Sequence, residues 1–134
     1  MATVTLIHYA DASPEVRAVY DDIKTTRRVP DVNNFWKTLA HNPALLKRTW
    51  EDLREVMAPG ALDGLTKELI YIAVSVANGC EYCVHSHTAS ARAKGMTDEQ
   101  YRELLAIIAM ASQTNALATA FQTPVDAAFQ ASVG

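Results

Sequence analysis

The chain is poor in cysteine, with two among 134 residues, and those two lie three positions apart. That excludes the disulfide framework that staples many small secreted domains. It also lacks basic excess: 12 Lys and Arg face 15 Asp and Glu, a formal net charge of −3. Nucleic acid is therefore not an expected partner, since phosphates need a basic stripe to neutralise them. Lys24, Arg27 and Arg28 form the one basic cluster and read as a solvated helix end. Unbroken apolar runs are short. The stretch Leu69 to Ala77 spans nine residues, against the roughly 18 needed to cross a bilayer. The opening MATVTLIHYADAS has neither the charged n-region nor the apolar h-region of a signal peptide. These absences lead to the expectation of a cytoplasmic protein with no membrane partner. Repeats, low-complexity segments and linkers are also missing, which fits a single domain over 1–134. Strand patterning is nearly absent. Only Thr3 to Tyr9 alternates, it has no partner elsewhere, and it reads as extended and irregular.

What the chain does have is helix punctuation. Ser13-Pro14-Glu15 is a capping hydroxyl followed by a proline at the first helical position. It opens a helix carrying Val16, Val19, Tyr20 and Ile23 on one face and ending near Arg27. Asn33 to Ala40 reads as a short second helix with Phe35, Trp36 and Leu39 as its apolar side. Asn42-Pro43 starts a third with Leu45, Leu46, Trp50, Leu53 and Met57 at helical spacing, stopped by Pro59-Gly60. A fourth runs from about Leu65 to Ala77, with Asn78-Gly79 as a left-handed stop. The fifth runs from Cys80 to Lys94 and stops at Gly95. Thr97-Asp98-Glu99-Gln100 is a capping box for a sixth reaching about Gln113. A last helix is expected around Pro124, including Val125, Ala128 and Phe129. The fold class is all-α, a bundle of six to seven helices.

The chemistry lies in Cys80-Glu81-Tyr82-Cys83-Val84-His85-Ser86-His87. Each helical residue is rotated by about 100° from the last, which puts Cys83 at about −60° and His87 at about −20° from Cys80. His85 falls at about 140° and Tyr82 at about 200°, on the other side. Cys80, Cys83 and His87 thus share one face at a helix N-terminus, where unpaired N–H groups and the dipole favour thiolate. The preceding helix is apolar nearly all round, as in a helix buried on most sides, and has Glu68 at its front edge. A buried carboxylate there is costly without partners, and desolvation would raise its pKa. A sharp reversal at Asn78-Gly79 would let Glu68 reach the middle of the next helix near His87. Three readings of the residues stand at this point. One is a redox dithiol served by a Glu68–His87 proton relay. Another is a zinc site from Cys80, Cys83, His87 and Glu68. The third is a pair of buried cysteines acting as small hydrophobes.

Glu68, eleven intervening residues, then Cys80-x-x-Cys83-x-x-x-His87 resembles the signature of the alkyl hydroperoxidase D-like proteins of the carboxymuconolactone decarboxylase superfamily. The text from Glu68-Leu69-Ile70 through Asn78-Gly79-Cys80-Glu81-Tyr82-Cys83 to Lys94-Gly95-Met96 is similar to the same core, and the resemblance covers about 42–113. It implies an all-helical homo-oligomer, a trimer or hexamer. It also implies that Cys80 and Cys83 are the redox dithiol, with Glu68 and His87 as its proton relay. The activity implied is that of a thiol-dependent peroxidase or disulfide reductase acting on a hydroperoxide or disulfide. No bound cofactor or metal is implied; a lipoyl- or thioredoxin-like dithiol partner would restore the pair. Tyr82 departs from the founding pattern, which has a second histidine there. The superfamily's name-giving decarboxylases lack the dithiol. The alternatives are a decarboxylase or isomerase using Glu68 and His87 as acid and base, and a metal-binding or redox-sensing module.

Overall fold

The computed structural model describes residues 2–130. Among them are six α-helices: α1 Pro14–Arg27, α2 Asn34–Leu39, α3 Pro43–Met57, α4 Gly64–Ala77, α5 Glu81–Ala93 and α6 Asp98–Phe121. Single 3₁₀ turns lie at Tyr9–Asp11 and Ala127–Phe129, and no strand forms among the described residues. The chain separates after Ala58 into two compact units.

The first unit is built by caps and aromatic packing. Ser13 accepts the Val16 N–H at the start of α1, and Asn42 accepts that of Leu45 at the start of α3. Val16, Val19, Tyr20 and Ile23 of α1 pack with Trp36 of α2 and Leu46 and Trp50 of α3 in one core. The Trp36 and Trp50 rings meet edge to face with centroids 5.6 Å apart. Their polar edges are satisfied locally: Trp50 Nε1–H donates to Asp22 at 2.7 Å, and the Tyr20 hydroxyl donates to the Ile7 carbonyl at 2.7 Å. Buried Lys37 is held by Asp31 at 2.6 Å. The segment before Tyr9 stays irregular, as its lack of a pairing partner implied.

The second unit is organised by α4 and α5. Asp63 caps α4 by accepting the Thr66 N–H. At the other end, Gly79 takes φ +69°, its N–H donates to Val76 O and the Cys80 N–H donates to Ser75 O. This is a Schellman stop, which leaves the last carbonyls of α4 paired and reverses the chain. The same motif ends α5: Gly95 takes φ +95°, with Gly95 N–H to Arg92 O and Met96 N–H to Ala91 O. Thr97 and Gln100 form the expected capping box for α6. Ile72, Ala91 and Met96 are the buried core, with Leu65, Leu69, Tyr101 and Leu104 packed against it.

Three expectations need correction. α6 runs to Phe121 rather than about Gln113, because nothing before Pro124 stops it, and Gln122 then takes the left-handed cap at φ 50°. The last helix shrinks to the 3₁₀ turn Ala127–Phe129. The face of α4 bearing Ile70 and Val74 is about half exposed, so the apolar helix is not buried on most sides within this chain. α6 has no buried residue at all. By length and composition it is also long and apolar enough to cross a membrane, with mean hydropathy 1.5 over 18 residues. A search for unbroken apolar runs overlooks it because Ser112, Gln113, Thr114 and Asn115 interrupt the pattern without adding charge.

Candidate active site

Cys80 has two structural duties. Its N–H closes the Schellman stop of α4, and its Sγ accepts the Cys83 N–H at 3.2 Å as the N-cap of α5. One residue is therefore both the joint between the helices and half of the dithiol. Cys80 and Cys83 are joined as a disulfide, and both are only partly exposed. The helix N-terminus that would stabilise a thiolate at Cys80 is thus provided by the turn itself.

The reversal lays α5 back along α4 and brings Glu68 to its middle. His87 Nδ1–H donates to Glu68 Oε2 at 2.7 Å; an ionised carboxylate can only accept, which fixes the proton on Nδ1. Nε2 is then the ring nitrogen that Glu68 does not engage. The Tyr71 ring, one turn beyond Glu68 on α4, stacks on the imidazole with centroids 3.7 Å apart and planes 21° apart. The ring is thereby held in plane as well as at its edge. His85 is exposed and on the other side, as helix geometry implied, and Tyr82 is 44% exposed.

Sequence reasoning missed the partners of the other carboxylate oxygen. Ser90 Oγ donates to Glu68 Oε1 at 2.9 Å and Lys94 Nζ donates to it at 3.0 Å; Lys94 Nζ also lies 3.0 Å from Ser90 Oγ. The signal was available: on the same wheel Ser90 falls at about −80° and Lys94 at about −40° from Cys80. Cys80, Cys83, His87, Ser90 and Lys94 form one stripe along α5. Tyr71, at i+3 from Glu68, was legible by the same rule on α4.

These contacts reverse an expectation about Glu68, which is only 4% exposed. Burial is the largest single influence and pushes its carboxyl up. The hydrogen bonds from His87, Lys94 and Ser90, together with the Lys94 charge, outweigh it and bring the group from 4.5 down to about 2. The carboxylate is therefore an anion at neutral pH. In this arrangement the donors of the zinc reading are engaged with other groups: Cys80 and Cys83 with each other in the disulfide, and both Glu68 oxygens with His87, Ser90 and Lys94. Among the described residues no group of three or more His, Cys, Asp or Glu is placed to hold a metal ion.

The carboxymuconolactone decarboxylase family model matches residues 44–125. The chain belongs to the carboxymuconolactone decarboxylase family. Within that family its likeness is to the alkyl hydroperoxidase D-like members. A crystal structure of the alkylhydroperoxidase AhpD core from Rhodospirillum rubrum is 61% identical and covers 98% of this chain and 99% of that one, with a TM-score of 0.95. An alkyl hydroperoxide reductase AhpD of Anaeromyxobacter sp. is 32% identical over 111 residues, covering 75% of this chain and 56% of that protein. An uncharacterised protein of Cupriavidus necator is 34% identical over 87 residues, 64% of this chain and 75% of that protein. The chain spans about half the length of the curated alkyl hydroperoxide reductase relatives it matches, 46% and 56% of two of them.

Proposed function

We propose that this protein is a thiol-dependent oxidoreductase that reduces a hydroperoxide or a disulfide through Cys80 and Cys83, with Glu68 and His87 moving the protons. The observation that carries the reading is a Cys80–Cys83 disulfide on the same stripe of α5 as His87, whose imidazole is bonded to Glu68 of α4. In the peroxidase cycle one cysteine thiolate attacks the peroxide oxygen. The S–O bond forms, the O–O bond breaks, and an alkoxide or hydroxide leaves that takes a proton from imidazolium. The second thiol attacks the sulfenic sulfur, forming the disulfide and releasing water. A dithiol donor then opens it by exchange, giving up two electrons and two protons and leaving as its own disulfide. Glu68 fixes the tautomer and orientation of His87 and stabilises the imidazolium formed when His87 takes the thiol proton.

The test is to treat reduced Cys80→Ser and Cys83→Ser variants with tert-butyl hydroperoxide and trap sulfenic acid. The reading expects one of them to form it and neither to turn over with a dithiol donor of the lipoyl or thioredoxin type. Failure of both to react with peroxide would defeat the peroxidase branch, leaving disulfide reduction to be measured with the same donors. Glu68 and His87 could also act as an acid–base couple without the thiols. That alternative predicts an activity that survives in the double Cys→Ser variant.

Self-association is part of the proposal. The uncovered apolar residues of α6, with Ile107 at 65%, Met110 at 58% and Leu117 at 48% exposure, support a homo-oligomer in which copies cover this helix. Burial of such surface contributes about 25 cal/mol per Å². The expected state is a trimer or hexamer, read by sedimentation velocity.

A further inference from the structure

We propose that Lys94 is a positioning residue of the relay: with Ser90 it holds one oxygen of Glu68, so that the other oxygen is kept for His87 Nδ1 and Nε2 is left to the dithiol. The inference rests on the proton-relay reading above and deepens it. A carboxylate rotates easily about its last torsion, which is broad and roughly two-fold. Burial alone does not set the plane of the carboxylate. Lys94 and Ser90 set it, because their two bonds converge on one oxygen, Oε1, at 3.0 and 2.9 Å and turn the other, Oε2, to His87 Nδ1 at 2.7 Å.

The placement of Lys94 is built into the backbone. It is the C-cap of α5, fixed by the turn at Gly95 and by Met96 entering the core. Its stem runs over Gly64, where a Cβ would stand 3.4 Å from Lys94 Cε. The side chain is nevertheless 42% exposed, so it adds little packing of its own, yet its ammonium turns inward onto a carboxylate that is 5% exposed. A lysine serving only solubility would keep that head in water. The charge also favours the anionic form of Glu68, which a neutral donor at the same place would do less well.

The test compares full-length Lys94→Met, Lys94→Arg and Ser90→Ala with the parent chain. One readout is the ring-nitrogen NMR signature of His87, and the other is the rate of disulfide formation with tert-butyl hydroperoxide. In the parent, His87 should show the Nδ1-protonated tautomer. Lys94→Met should mix the tautomers and slow oxidation roughly 10-fold, a fraction of the 10²–10⁴ that a general acid–base group supplies. Lys94→Arg should restore much of both, and Ser90→Ala should give a smaller change in the same direction. A merely structural salt bridge would alter the melting temperature of Lys94→Met while leaving tautomer and rate at the parent values, and that result would overturn the proposal. Failure of the underlying reading looks different: His87→Asn and the Cys→Ser variants would then leave the reaction with peroxide unchanged.

Discussion

Replacing Glu68 with Gln removes one charge from a buried position and keeps the shape. In the native protein the carboxyl lies near 2 rather than 4.5. At 1.36 kcal/mol per pKa unit, the ionised form then contributes up to about 3 kcal/mol of stability at neutral pH. Because the native value is depressed, this contribution is full above about pH 4.5 and is lost as pH falls towards 2. Gln cannot ionise, and it presents an amide that cannot satisfy His87, Ser90 and Lys94 together. Glu68→Gln should therefore be less stable than the parent by about 2–3 kcal/mol at pH 7, with the gap closing as pH falls below 4.5. The assay must report on the second unit. Tryptophan fluorescence does not, since Trp36 and Trp50 both lie in the first. Hydrogen exchange of the α4 and α5 amides, read by mass spectrometry across pH, does. Equal protection in the two proteins at pH 7, or a gap that stays constant down to pH 3, would refute the reasoning.

Cys80→Ala and Cys80→Ser both abolish the disulfide, but only Ser retains an N-cap acceptor. Under reducing conditions the Ala variant should be the less stable by about 1 kcal/mol in urea titration, and equal midpoints would remove the capping role of Cys80. Gly79→Ala meets no atom within 4 Å yet must adopt φ +69°, so it should cost about 1–2 kcal/mol from backbone strain alone. A neutral result by thermal melt would contradict the Schellman turn. Ile107→Lys combined with Leu117→Lys, both on exposed faces of α6, should lower the molar mass seen by light scattering without loss of helicity. An unchanged mass would place self-association elsewhere.

Much of the fold was legible because the chain marks its helix starts with side chains that act locally. Ser13, Asn42 and Thr97 cap the helices they were expected to cap, since a capping bond depends on residues three apart and on nothing distant. Helix ends marked by glycine were legible for the same reason. The end of α6 was not: Gln122 adopts the left-handed cap without being glycine or asparagine, and composition gives no sign of it. The α4 pattern correctly reported apolarity but not what covers it, since periodicity cannot tell a core from an interface between copies. Glu68 shows the same limit in electrostatics. Desolvation could be anticipated from its apolar neighbours on α4. The opposing donors lie on another helix, and their reach depends on how α5 packs. The stripe that carries them, Cys80 through Lys94, was written in the sequence but followed only as far as His87.

The central claim is that Cys80 and Cys83 form a cycling dithiol. It is tested most directly by intact mass and thiol counting on the fully reduced protein before and after one equivalent of hydroperoxide, followed by a dithiol donor. The account predicts loss of two hydrogens with no added oxygen, disappearance of both thiols, mapping of the link to Cys80–Cys83, and return of the starting mass with the donor. Two free thiols surviving the oxidant, or stable oxygen adducts that never resolve to the disulfide, would contradict it.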